Sequence, residues 1–397
     1  MINKRILLLS AYDAYSHRQW RETLVNMFPQ ARWTVLALPP RYFAWRVRGN
    51  SLSWAFNHRR ELADNYDLVI VTSVTDLSSL RGFVPSLSRI PTLVYFHENQ
   101  FNYPVNHGAV GIKNQTLSIE PQITSIYSAL CADQLAFNSD WNRRSFMQGA
   151  GALLRKLPDH VPADLIGSLQ AKSRVLPEPL SDHLFAPSAQ RKAKSPDRPL
   201  QIVWNHRHEY DKGPRLLLGI INRLVHRGLP FQLHLLGQRF RREPSEFATL
   251  REQLDNYYSA SGITPGRDQW LDSRQDYLAL IQSSDLVLST AQHDFQGLSV
   301  LEACVLGCVP VVPDELAYPE YVPDDCRFAA FNNDIEQQAD SAADLIESWT
   351  RALCVEPRPP APDISRLSVS AIRPDWDRCL SQLIRARKNL SPYNTTG

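Results

Sequence analysis

Short apolar runs that alternate with helical stretches constrain this chain more than any other feature. The first series is Ile6–Ser10, Trp33–Leu38, Asp67–Ser73, Thr92–Phe96, Asp133–Ser139 and Arg174–Leu176, with a helix expected over Tyr15–Phe28. A second series follows at Leu200–Trp204, Phe231–Leu236, Asp285–Ser289 and Val309–Val312. Runs this short, parted by helical periodicity, predict parallel βαβ units and doubly wound sheets. Between the series, Ala186–Pro199 is polar, basic and proline-rich, which suits a linker. The reading is therefore α/β, with one doubly wound domain over 1–185, a linker over 186–199 and a second domain over 200–360. A last helical stretch, Asp375–Arg387, falls in a terminal segment over 361–388, and the final ten residues are expected to fray. Such sheets bind ligands beyond the carboxyl ends of their strands, so a cleft shared by two domains is expected.

A length of 397 residues suits two domains, and the net charge of +2 excludes a generic polyanion binder. No apolar run reaches about 18 residues, so no membrane span is expected. The opening Met1–Ser10 reads as a first strand rather than a signal segment, which points to a cytoplasmic setting. Six scattered cysteines lie mostly in apolar segments. Cys304 and Cys308 could share a helix face, yet no second pair completes a zinc site, so reduced thiols and no metal are expected.

Every polar constellation falls where a strand has just ended. After Asp285–Ser289 come Asp294, seven further residues and Glu302, with Gly297 opening a helix between them. Two carboxylates can each accept hydrogen bonds from the vicinal hydroxyls of a sugar. Amides at Phe295, Gln296, Gly297, Leu298 and Ser299 can meet an anion or a hydroxyl at the helix start. The plainer alternative is an acid that complements the helix dipole. After Leu200–Trp204, Arg207 and Lys212 lie five residues apart on a turn supported by Gly213 and Pro214. They can grip a diphosphate, or simply pair with Glu209 and Asp211. After Thr92–Phe96, His97, Glu98, Asn99 and Gln100 are costly to bury unless they face a ligand or bond to one another. Ser16 and His17 open the first helix and can meet a ligand or cap the helix. From Arg41 to Arg60 there are five arginines and no acid. Arg41, Trp45, Arg46 and Arg48 interleave charge with aromatic rings, which suits single-stranded RNA or an arginine–aromatic packing surface.

Arg207, Lys212-Gly213 and the acid pair resemble retaining family-4 glycosyltransferases of the GT-B fold. Pro374-Asp375-Trp376-Asp377-Arg378 resembles that family's terminal helix, which returns to the first domain. The usual acid pair is two glutamates, and here the first is Asp294. His97-Glu98-Asn99-Gln100 with Tyr103-Pro104, Phe137-Asn138-Ser139, Leu157–His160, Trp45–Arg48 and Tyr318-Pro319-Glu320 resemble one subgroup, the tRNA-queuosine α-mannosyltransferases. The resemblance spans roughly Lys4 to Arg387. It implies two Rossmann-like domains facing a cleft. It also implies transfer of mannose from GDP-mannose to queuosine at the tRNA wobble position, with retained configuration. Arg207 and Lys212 would hold the diphosphate, Glu302 the ribose and Asp294 the mannose. The amides from Phe295 to Ser299 would line that pocket, and His97 would face the reacting carbon. Ser16, His17, Arg41, Trp45, Arg46, Arg48, Glu98, Asn99 and Gln100 would meet the tRNA. No cofactor or metal is required, because the two cations supply the charge. The partners expected are queuosine-containing tRNA and a nucleotide sugar, with no membrane. A lipid or polysaccharide acceptor, or a non-catalytic nucleotide-binding module, are the alternatives on this fold.

Overall fold

The computed structural model describes residues 1–101, 119–157, 161–162, 164–186, 191–240, 242–331 and 334–388. Tyr103-Pro104, Pro158–His160, positions 187–190 of the expected linker and the tail beyond Lys388 lie outside those residues. The chain forms two compact units, one holding residues 1–101, 119–179 and 369–388, the other Leu180–Ser368.

The first unit contains β1 (Arg5–Ser10), β2 (Arg32–Ala37), β3 (Leu68–Thr72), β4 (Thr92–Phe96), β5 (Gln134–Phe137) and β6 (Ser173–Val175). They form one parallel sheet in the order β2-β1-β3-β4-β5-β6. The strands are apolar on both faces because helices cover both. Leu7, Leu9, Val69, Val71, Val94 and Phe96 pack on one side with Trp54 and Phe146. Ile6, Leu8, Leu68, Ile70, Leu93 and Tyr95 pack on the other with Trp20 and Trp376. The second unit contains β7 (Leu200–Asn205), β8 (Phe231–Leu236), β9 (Leu286–Leu288), β10 (Val309–Pro313) and β11 (Arg327–Phe328). Its order is β11-β10-β9-β7-β8, again all parallel. In each sheet the first strand has its second and third strands on opposite sides. That is the topological switch point, beyond which ligands bind in open α/β sheets.

The C-terminal helix spans Val369–Lys388, six residues earlier than expected from Asp375. Pro374 lies inside it rather than before it. Proline costs a helix one hydrogen bond. Here Ile372, Trp376, Cys379, Leu380, Leu383 and Ile384 lay one apolar stripe on the first unit's core, and that packing outweighs the loss.

The stretch expected to be a linker is docked over its described part. Arg191 donates to the carbonyls of Ser284 (2.5 Å) and Leu306 (2.7 Å). Those residues are the C-caps of the helices Arg274–Ser283 and Leu298–Val305, where carbonyls lack helical partners. Arg198 and Arg358 both reach the buried Asp285, at 2.6 and 3.1 Å. A basic composition does not reveal such partners, since they come from distant segments. Cys304 and Cys308 do not share a helix, because it ends at Val305 and Cys308 leads into β10. All six cysteines are free thiols. No helix among the described residues is long and apolar enough to cross a membrane.

Candidate functional site

In the first unit, β4 delivers His97 to the sheet's carboxyl end on the same side as Tyr95. The His97 ring stacks on His17 at 4.1 Å and meets the edges of Trp20 (4.5 Å) and Tyr95 (4.7 Å). Tyr95 in turn lies 5.2 Å from Trp376, so the terminal helix braces the floor of this cluster. His17 Nδ1 is 2.7 Å from the Tyr12 carbonyl, and His97 Nδ1 is 2.9 Å from Glu178 Oε1. Burial drives the His97 imidazole down to about 3 and His17 to about 4. Both rings are therefore neutral near pH 7. Asp13, also buried, is hydrogen-bonded by Arg21 through both oxygens.

The expected acceptor residues separate by burial. Ser16, Arg41, Trp45 and Arg48 are exposed, and Glu98 and Gln100 are half-buried. His17, Arg46 and Asn99 are buried in the first unit. Asn99 is held by its own loop and by the helix Asp140–Leu154. Its amide donates to Asn142 and Ser145, and its carbonyl accepts from the Phe101 amide. Arg46 sits one position past Trp45 on the helix Phe43–Asn57 and turns inward, while Trp45 stays half exposed to solvent at 53%. Tyr12 meets Phe43 edge-on at 5.6 Å, which ties the start of that helix to the loop after β1. Arg48 pairs with Asp76 at 3.1 Å.

In the second unit, β7 and β9 flank the switch point and carry the charged loops. The turn Tyr210–Lys212 ends at Gly213, which has φ of +64 and lies so near β9 that a Cβ would stand 2.0 Å from the Thr290 carbonyl. Only glycine fits there. Pro214 then opens the helix Pro214–His226 at the position where a missing N–H costs nothing. Lys212 Nζ donates to the His293 carbonyl at 2.6 Å and lies 3.4 and 3.9 Å from Asp211 and Asp294. Arg207, about half exposed, pairs with Glu209 at 2.5 Å and Asp211 at 3.7 Å. The pairing alternative weighed above is thus present alongside the cation cluster.

Asp294 does two jobs at once. Its Oδ1 accepts the Gly297 amide at 2.8 Å and the Gln296 amide at 3.4 Å. These two amides, expected to meet a ligand, are already satisfied by the side chain that precedes them. Its Oδ2 lies 3.4 Å from the Tyr318 hydroxyl, which also meets Ser289 at 2.7 Å. Burial raises the Asp294 pKa, but Lys212, His206 and the two amides outweigh it and hold the group below its ordinary value. Phe295 and Gln296 are buried, and Leu298 and Ser299 are half-buried at the start of the helix Leu298–Val305. Gly297 has φ of +75, and a Cβ on it would meet the Tyr318 ring at 2.7 Å.

Glu302, on that helix's second turn, is buried and held by a group absent from the motif reading. Arg274 binds both its oxygens, one at 3.1 Å, and the Tyr277 hydroxyl donates to it at 2.8 Å. Asn205 at the end of β7 donates to Tyr277 at 2.7 Å. His206, Arg274, Tyr277 and Tyr318 are the second unit's additions to the expected set, and Glu178 is the first unit's. Arg274 carries no spacing signal relative to Glu302, because helix and partner come from separate segments. His206 had one signal, its place between Asn205 and Arg207 beyond a strand.

The second unit can therefore present two cations and two carboxylates to an anionic, hydroxyl-rich ligand. A family model described as tRNA-queuosine alpha-mannosyltransferase N-terminal matches residues 5–180, and one described as Glycosyl transferases group 1 matches residues 186–356. A tRNA-queuosine alpha-mannosyltransferase of Drosophila melanogaster is 30% identical over 324 residues, covering 80% of this chain and 81% of that one. Among solved structures, Anabaena HepE in complex with UDP matches at 14% identity with a TM-score of 0.64, over 96% of this chain and all of that one. Sucrose-phosphate synthase from Thermosynechococcus elongatus matches at 16% identity with a TM-score of 0.63, over 97% of this chain and all of that one. These structural likenesses bear on the fold alone, which is GT-B, built from two Rossmann-like parallel-sheet domains. By its identity to the Drosophila protein across four-fifths of both chains, and by the match of its N-terminal half, this chain belongs to the tRNA-queuosine alpha-mannosyltransferase family.

Proposed function

We propose that the protein is a glycosyltransferase that moves mannose onto queuosine in tRNA. Membership of the family is the observation that carries this reading. We further propose GDP-mannose as the donor, the wobble position as the place of the queuosine, and transfer with retention. In this reading Arg207 and Lys212 hold the donor diphosphate, as a planar fork and a compact point charge suit phosphates. Their present acid partners are exchanged for phosphate oxygens on binding. Glu302 accepts the ribose hydroxyls from the far side of its Arg274 contact, and Asp294 Oδ2 accepts from the sugar. The leaving diphosphate gains charge as the glycosidic bond breaks, so the grip of Lys212 strengthens in the transition state. No divalent metal is needed for that step in this reading, and the rate is expected to be unchanged by EDTA. Arg41, Trp45 and Arg48, on the exposed side of the first unit, meet the tRNA. The implied setting is the cytoplasm.

The deciding experiment incubates pure protein with GDP-mannose and queuosine-containing tRNA, then analyses the released nucleosides by mass spectrometry. A hexose added to queuosine is the expected result. Its formation should weaken steeply with salt, because tRNA phosphate contacts release counterions. Undiminished transfer to a free saccharide without tRNA would overturn the acceptor.

A further inference from the structure

We propose that Glu178 is a positioning residue that holds neutral His97 with its proton on Nδ1, so that Nε2 offers a lone pair to a substrate hydroxyl. The proposal rests on the transferase reading above and adds a residue and a defined hydrogen-bond polarity to it.

Three observations lead there. Glu178 Oε1 lies 2.9 Å from His97 Nδ1 and 3.4 Å from the Asn138 side-chain amide. An oxygen that faces an amide N–H is an acceptor, so the ring nitrogen that meets the same oxygen donates. A neutral imidazole has one donor and one acceptor, and the bond at one nitrogen decides the other. Nε2 is thereby left as the acceptor. It is also buried and has no hydrogen-bond partner among the described residues. A buried polar atom without its hydrogen bond is costly, and a substrate hydroxyl placed there recovers that cost.

The ring is held against rotation as well. His17 stacks on it at an interplanar angle of 22°, and Trp20 stands across it at 88°. Tyr95, below it, donates its hydroxyl to the Leu176 carbonyl at 2.8 Å, two residues before Glu178. The segment that carries Glu178 is thus anchored to the strand that carries His97. Asn138 completes the frame by donating to the His97 carbonyl at 2.8 Å. Among the described residues, the charged or titratable groups around the ring are His17, Tyr95, Glu178, Glu98 and Asp13. Burial outweighs the acids and keeps the imidazole neutral down to about 3. A ring with so little basicity is an orienting acceptor and not a proton carrier.

The test is nitrogen NMR of the full-length protein labelled on histidine, with the His97 signals assigned by their loss in His97→Ala. We expect wild-type His97 to show a protonated Nδ1 and a bare Nε2, unchanged from pH 8 to pH 6. Glu178→Ala should shift the proton toward Nε2 and lower kcat about 100-fold, with KM for the donor within about threefold. Glu178→Gln should keep the wild-type tautomer and most of the rate, since its carbonyl oxygen can take the place of Oε1 beside Asn138. A wild-type proton on Nε2, or a Glu178→Ala protein with unchanged tautomer and kcat, would overturn the proposal. Should Glu178→Ala fail to fold, the wild-type and Glu178→Gln spectra decide it. A wild-type protein that never mannosylates queuosine sinks the functional reading instead, and the spectra still judge Glu178.

Discussion

The two strand-end clusters are built on opposite electrostatic plans. The first unit's cluster is an aromatic column, Trp376, Tyr95, Trp20, His97 and His17, whose histidines are neutral through burial. The second unit's cluster is a set of charges, Arg207, Lys212, Asp211, Asp294, Glu302 and Arg274, each facing an opposite charge. The first is held by packing and leaves one lone pair for a directed hydrogen bond. The second is held by ion pairs whose cations an anionic ligand can engage in turn. In the proposed reaction, expelling a diphosphate would draw on the second plan and aiming a sugar hydroxyl on the first, so the two demands would be met by different physical means in one chain.

The comparison breaks most readily at Trp376. Trp376→Ala should cost about 3–5 kcal/mol in denaturant unfolding, because the ring is wholly buried beneath Tyr95. A loss below about 1 kcal/mol would show that packing does not hold the first cluster. Lys212→Ala should lower kcat/KM by about 100- to 1,000-fold, the usual scale for removing one transition-state donor. A change under threefold would reduce the second cluster to a surface ion-pair network.

Acid titration probes histidine burial next, in the first cluster and also at His206 in the second, which burial likewise holds at about 3. His97 and His17 have folded values of about 3 and 4, below the ordinary value near 6.5. As pH falls below about 6.5 the unfolded chain binds protons that the folded chain refuses. Stability is therefore full above that pH and is lost progressively toward pH 4, with about 1–2 kcal/mol lost through these two rings between pH 7 and pH 6, and His206 and His234 adding in the same direction. Thermal melts over that range check the sign, and melts that rise on acidification would contradict it. The smallest effect sharpens the role of Asp294. Asp294→Ala should lose about 1 kcal/mol of stability with the hydrogen bond from the Gly297 amide. Asp294→Asn should keep that stability, through its remaining oxygen, while transfer falls. Equal stability losses in both variants would mean that the charge, rather than that hydrogen bond, sets the stability.

The sequence by itself determined the sheets, because each strand is a short run that must be apolar on both faces to lie between helices. It also placed the polar loops, because a polar residue directly after such a run sits at a sheet's carboxyl end. His97 was legible for that reason, and Arg207, Lys212, Asp294 and Glu302 through their spacing in the loops and helix that follow such runs. Side-chain orientation was less so. Arg46 and Trp45 are neighbours in the same helix, yet one is buried and the other exposed. Asn99 is buried while its neighbour Glu98 is only half-buried, and only packing decides which neighbour turns inward. Tertiary structure alone decided the partners. Glu178 lies 81 residues from His97 in the chain, and Arg274 lies 28 from Glu302. Arg191 reaches 115 residues to Leu306. Contacts of that range leave no period or spacing in the sequence. They exist because folding brings strand ends and helix ends together, where unpaired charges and carbonyls must find one another.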